Sequence, residues 1–420
     1  MTPAARLQAA IDILDGLETS GLPADRFIRE FFRARRYAGS KDRASVTERV
    51  YDIFRHRAEY SWRMQSESNR ARAIASLLGD GATIDEVTAL FTGDGYGPAA
   101  LSDEERRAVA EPPSGEMPPH VRGEFPEHLT AELTRRFGAA LNGEMYALTE
   151  RAPVDLRVNT LKAERADVLR ELWEAGFDAQ KTPFAPHGIR IAAGKGSATL
   201  QQSKLFLSGA FEFQDEAAQI CAALCDAKPG MRVLDLAAGA GGKSLALAAA
   251  MQNKGAIVAC DVRRNALANL TERAIRAGAT IITTKLANEL KPSEQFDIVL
   301  VDAPCSGTGT WRRQPELRWR LPPSRLDELN AIQDALLDQA AAHVKPGGRL
   351  VYATCSILPR ENEDRFTALL NRNPAFTPRA AAEIWRASGA SATPPGMDTI
   401  FAATPHRTGT DGFFTAIAVR

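Results

Sequence analysis

From Phe211 onward, short apolar runs alternate with helical stretches, and this alternation limits the fold more than any other feature of the chain. Arg232–Leu236, Ile257–Cys260, Ile298–Val301 and Arg349–Ala353 read as strands, with helices over 243–252, 265–278 and 324–343 between them. Strand and helix in alternation imply a parallel sheet with helices on both faces, an α/β class. Ligands of such sheets bind beyond the carboxyl ends of the strands, so the chemistry is expected just after each apolar run.

With 420 residues the chain is long enough for two or three domains. The spacing of Leu7, Ile11, Leu14 and Leu17, of Phe27, Ile28, Phe31 and Phe32, and of Val46, Val50, Ile53 and Phe54 predicts N-terminal helices. A proline-, glycine- and acid-rich stretch over 111–124 reads as a linker. After it, Pro126 opens a helix through Phe137, followed by a strand at Val154–Asn159 and a helix near Arg165–Ala175. We therefore divide the chain into a helical domain with an acidic linker (1–125), a small α/β subdomain (126–210) and a catalytic α/β domain (211–420).

Lys plus Arg and Asp plus Glu are both 52, a formal charge of zero that excludes a globally basic nucleic-acid protein but not a locally basic one. Residues 22–72 hold thirteen basic and seven acidic side chains; residues 73–125 hold three basic and ten acidic. The basic stretch suits a polyanion, against the blander reading of a solvated helix face. The five cysteines, Cys221, Cys225, Cys260, Cys305 and Cys355, form no CxxC pair, so neither a disulfide framework nor a metal site is expected. No apolar run reaches the length of a membrane span, and the N-terminus carries no signal-like apolar region. A cytoplasmic monomer without membrane association is the expectation.

Four turns after strands carry the chemistry. Ala237-Ala238-Gly239-Ala240-Gly241-Gly242-Lys243 follows the first strand and enters a helix; small residues there let backbone approach a ligand. The spacing is neither GxGxxG nor that of a phosphate loop. The second strand ends at Asp261, a carboxylate placed for ribose hydroxyls, or alternatively a helix cap. Together the two features favour an adenosine cofactor, and the missing phosphate loop favours S-adenosylmethionine. The third and fourth turns, Asp302-Ala303-Pro304-Cys305 and Thr354-Cys355-Ser356, each carry a cysteine. Lone buried cysteines are commonly inert. Two such turns on adjacent strands bring both thiols to opposite sides of one pocket, about a substrate ring apart. A thiolate adding to carbon 6 of cytosine makes carbon 5 nucleophilic. Asp302 could share a proton with the ring, and Lys243 or Arg312 could supply the positive charge that favours a thiolate.

These segments resemble the RsmB/Fmu (Sun, NOP) family of RNA cytosine-5 methyltransferases. So do Leu156–Lys162, Phe213–Glu216, Trp311–Glu316, Pro359–Glu363 and Asp411–Phe414. The likeness spans about 150–420 and points to a bacterial 16S rRNA-type member with a diverged NusB-like helical domain. It implies a Rossmann-like S-adenosylmethionine-dependent methyltransferase sheet, with Cys355 as nucleophile and Cys305 assisting release. It further implies that Asp302 holds the cytosine edge and Asp261 the ribose. Lys243 and the 237–242 loop, with Pro304, would line the cofactor site. RNA, ribosomal RNA first, is the implied partner, with Arg157, Asn159, Arg312 and Arg313 as its contacts. Arg312, Arg313, Arg318, Arg320 and Arg325, interleaved with Trp311 and Trp319, suit phosphates and stacked bases. The chain departs from the family at Ala237 and Ala240, where cysteine and proline are usual, and near the adenine, where Asn288 is the nearest polar candidate. Two other readings compete: an RNA-binding or ribosome-assembly protein with a vestigial methyltransferase fold, and a base amino-methyltransferase. The retention of both cysteines, Asp302 and Lys243 disfavours the first. The second would place an aromatic where Cys305 stands.

Overall fold

In a computed structural model, which describes residues 1–192, 197–388, 390 and 392–420, the chain forms two compact units. One comprises Met1–Glu150 together with Trp311–Arg320; the other comprises Arg151–Thr310 and Leu321–Arg420.

The first unit is helical. Leu7, Ile11, Leu14 and Leu17 are all buried on the helix Pro3–Thr19, and Val46, Val50, Ile53 and Phe54 on Ser40–Arg55, so their 3.6-residue spacing builds the core. Residues 111–124, read as a linker, lie inside this unit. Glu124 is buried, and its carboxylate accepts the backbone N–H groups of Ala58 and Glu59, both at 2.9 Å. Burial pushes that carboxyl up to about 8. The acidic stretch also answers the basic one: Asp80 meets Arg49 at 2.5 Å and Glu105 meets Arg70 at 2.7 Å. Part of the charge read as a polyanion surface is thus satisfied within the unit.

The second unit holds two sheets. The smaller is antiparallel, in order β2-β3-β1-β4: β1 (Val154–Val158), β2 (Ala179–Lys181), β3 (Gly188–Ile191) and β4 (Phe211–Phe213). The larger contains β5 (Arg232–Asp235), β6 (Ala256–Asp261), β7 (Ile282–Leu286), β8 (Phe296–Asp302) and β9 (Val344–Thr354). It continues with β10 (Thr377–Arg379), β11 (Phe401–Ala403) and β12 (Phe413–Val419), in order β10-β12-β9-β8-β5-β6-β7 with β11 on β12.

β9, β8, β5, β6 and β7 are parallel, as the alternation predicts, but β12 runs antiparallel to β9, as β10 and β11 do to β12. The sheet is therefore mixed, not wholly parallel. β12 is apolar and almost wholly buried between its neighbours, so it closes the edge that β9 would otherwise leave unpaired. The chain runs outward from β5 through β6 to β7, then crosses back to place β8 on the other side of β5. That reversal opens a crevice beyond the carboxyl ends of β5 and β8, where such sheets bind ligands. Among the described residues no helix is long and apolar enough to cross a membrane.

Candidate active site

A cavity of about 770 Å³ lies at this crevice, within the usual size range of small-molecule sites. Its wall includes Ala237, Ala238, Gly239, Ala240, Gly242 and Lys243 after β5, Asp261 at the end of β6, Asp302 at the end of β8 with Pro304 and Cys305 just after it, and Cys355 after β9. Gly241 is not in the wall. At φ +80° it caps the helix Gly242–Ala250, and a Cβ there would sit 2.4 Å from Leu270 Cγ. Its glycine serves packing and turn geometry rather than ligand contact. Gly241→Ala is expected to destabilise this unit by about 1–3 kcal/mol through strain and overpacking; an unchanged thermal unfolding midpoint would contradict that.

Asp261 is nearly buried and accepts the Gly239 N–H at 2.9 Å and the Arg263 guanidinium at 3.0 and 3.1 Å. Burial opposes its charge, but these donors hold the carboxyl below its usual range. The Arg263 side chain is mostly exposed, so a ligand hydroxyl could displace it at little cost. Val262 and Ile332, both in the wall, are 80% and 40% exposed; a flat ring covering them would remove apolar surface from water. Glycine turn, ribose-competent carboxylate and bare apolar side chains together fit an adenosine-containing cofactor. Asn288 is exposed, and its neighbour Ala287 lines the cavity instead.

Lys243 is buried, with Nζ 2.5 Å from Asp302 Oδ2 and 4.9 Å from the centre of the Phe413 ring. Burial disfavours its charge, but Asp302 outweighs that and raises the ammonium above its ordinary range. Lys243 thus spends its charge on Asp302. Arg312, the other cation expected beside the thiols, is buried in the 311–320 segment of the helical unit.

Cys305 Sγ and Cys355 Sγ are 3.4 Å apart and line the same cavity. Adjacent parallel strands bring them to one place, as the two turns predict, but in contact rather than a ring's width apart. A base cannot lie between the sulfurs and must meet the pair from the cavity side. The hydrogen bond with Cys355, then burial, pushes the Cys305 thiol well up. Cys221 and Cys260 are buried elsewhere, their thiols raised by burial to about 11 and about 12.

The expected RNA contacts need correction. Arg157 is buried, donates to Gln214 Oε1 and to the Gly242 carbonyl, both at 2.8 Å, and burial lowers it to about 10. Asn159 is buried and donates to the carbonyls of Gly209 and Ala277. Both fasten β1 to neighbouring elements, and burial takes them off the surface that RNA would meet. Trp311 and Arg318 are fully buried against each other, and Arg320 donates to the carbonyls of Leu17 and Leu22. That stretch is core of the helical unit, not a stacking platform, although Arg313 is exposed. Interleaved arginine and tryptophan look the same in sequence whether they meet bases or each other.

Of the residues in the wall, sequence reasoning missed Val262, Ile332 and Leu336, and it gave Gln214 no role beyond its place in the family-like segment Phe213–Glu216. Ile332 and Leu336, four apart on the helix Pro323–His343, share one face, a signal readable from spacing alone.

Two family models match in chain order: one described as a Methyltr_RsmF/B-like ferredoxin-like domain over residues 125–196, the other as 16S rRNA methyltransferase RsmB/F over 222–418. The chain belongs to the RsmB/F methyltransferase family. Among its RsmB/F relatives, the probable ribosomal RNA small subunit methyltransferase B of Bacillus subtilis is 35% identical over 264 residues, 62% of this chain and 58% of the relative. The protein with the same description in Synechocystis is 33% identical over 307 residues, 70% and 66%. The match thus spans somewhat under two thirds of these relatives. The crystal structure of PH0851 superposes with a TM-score of 0.76 at 26% identity, covering 100% of this chain and 99% of that one.

Proposed function

We propose that this RsmB/F chain uses S-adenosylmethionine to methylate carbon 5 of cytosine in small-subunit ribosomal RNA. The observation that carries the reading is the meeting of two sulfurs, 3.4 Å apart, in the cavity that also holds the Lys243–Asp302 pair, the glycine turn and Asp261. The names of the relatives support ribosomal RNA as substrate. The cofactor supplies an electrophilic methyl group on a positively charged sulfur.

This chain's residues do the rest. Ala237–Ala240, Gly242 and Lys243 would line the cofactor's methionine end, Asp261 would take the ribose, and Val262 and Ile332 would cover the adenine. Cys355, as thiolate, forms a bond to carbon 6, and the displaced electron pair makes carbon 5 the nucleophile. Asp302, held by Lys243, takes the polar edge of the base. After methylation the proton on carbon 5 must leave so that its electron pair restores the ring double bond and expels the Cys355 thiolate. Cys305 assists that release. Once the Cys355 sulfur is a neutral thioether, it no longer helps to hold the proton on Cys305; Cys305 loses that proton to solvent water and, as thiolate, takes the proton from carbon 5. The target base must be unstacked to reach the sulfurs, so loops or incompletely assembled RNA suit it best.

Bisulfite sequencing of total RNA from cells with and without the gene tests the reading. A single ribosomal cytosine that loses protection without the gene is the expected result. An unchanged pattern removes the proposal.

A further inference from the structure

Two thiols on separate turns stay 3.4 Å apart only if something fixes the turns to each other. Backbone hydrogen bonds do part of this: Ala303 N–H donates to the Ala353 carbonyl and Gly309 N–H to the Cys355 carbonyl, both at 2.9 Å. The residue after each cysteine is a serine, and both serines reach the same group, the fully buried carboxylate of Glu361. Its Oε1 accepts the Ser306 N–H at 2.8 Å and Gln333 Nε2 at 3.0 Å; its Oε2 accepts the Ser356 hydroxyl at 2.5 Å and the Ser306 hydroxyl. Gln333 also donates to the Pro304 carbonyl at 3.0 Å, so the residue before Cys305 is tied in as well.

We propose that Glu361 is the positioning residue of the thiol pair, bridging the turn after Cys305 to the turn after Cys355. It touches neither sulfur and acts through Ser306 and Ser356. A buried carboxylate is costly unless its lone pairs are filled. Here four donors from three residues fill them, and the turns are locked. The carboxylate also acts on Cys305. It adds to the hydrogen bond with Cys355 and to burial in raising the Cys305 thiol. Glu361 thus bears on Cys305 twice, through the turn that it anchors and through its charge. The assignment of roles rests on the cytosine reading; the locking of the turns does not.

The test therefore has two arms, on the full chain. Without RNA, Cys305 and Cys355 are alkylated with iodoacetamide across pH and scored by peptide mass spectrometry. Glu361→Gln, which keeps the shape but loses the charge and two acceptor lone pairs, is expected to move the Cys305 alkylation midpoint to lower pH by about one unit. Glu361→Asp, which restores the charge, should recover most of the shift. With RNA and cofactor, Glu361→Gln should lower kcat by about 10–100-fold and leave both KM values within about threefold. Should Glu361→Gln fail to fold, Ser356→Ala removes one bridge and should give the kcat loss without the full pH shift. A folded Glu361→Gln protein with the wild-type alkylation profile overturns the inference. A shifted profile in a protein that methylates no RNA would leave the positioning intact and sink the cytosine reading instead.

Discussion

Cys355→Ala is expected to abolish methyl transfer to RNA, a loss on the order of 10³–10⁶ in kcat, as for removal of a covalent nucleophile. The reason is electronic. Carbon 5 of cytosine is a poor nucleophile until a sulfur at carbon 6 pushes an electron pair toward it. Neither the Lys243–Asp302 pair nor the cofactor turn can replace that push. The alanine removes only a half-buried sulfur, so the unit should remain folded and cofactor affinity should stay within about threefold. Transfer of a labelled methyl group to ribosomal RNA, measured beside a cofactor titration, separates the two effects. Turnover retained in both single cysteine variants would end the thiol mechanism.

Cys305→Ala should behave in the opposite way. With Cys355 intact the adduct forms and the methyl group arrives, but the proton on carbon 5 has lost the group that assists its departure. Release slows and a covalent protein–RNA species accumulates, visible as a shifted band that survives denaturing electrophoresis. Under the same conditions Cys355→Ala should give no such band. The contact between the sulfurs sharpens the contrast. At 3.4 Å each thiol can reach what the other reaches, so chemistry rather than distance must assign the roles. A stable adduct from Cys355→Ala would reverse the assignment.

Much of the site was legible before any coordinates, because period and composition expose it. Apolar runs at Arg232–Leu236 and Ile298–Val301 announced two neighbouring strands, β5 and β8, and the small-residue turn after the first announced a close backbone approach. Asp261 ends a strand, Cys305 and Cys355 each follow one, and a parallel sheet delivers all such residues to the same edge. The edge itself was less legible. β12 is a continuous apolar run with no helical crossover before it, so direction could not be read from pattern, and it proved antiparallel.

Long-range pairing decided the rest. Arg157 and Asn159 looked like RNA ligands because a polar side chain in a strand pattern does not declare its partner; the fold buries both on backbone carbonyls. Trp311, Arg318 and Arg320 read as a nucleic-acid surface; the first two became core of the helical unit and the third is bonded to its backbone carbonyls. The neutral total charge hid acidic residues that sit on arginines of the preceding basic stretch. Glu361, six residues after Cys355, gave no sign of reaching Ser306, fifty-five positions earlier. By itself the sequence determined the class of the sheet, the strand ends where chemistry collects, and the residue types available there, since these follow from local periodicity and short spacing. Only the tertiary structure decided which charges are spent internally, how close the two sulfurs come and what holds them, because those depend on contacts between segments far apart in the chain, which no local pattern records.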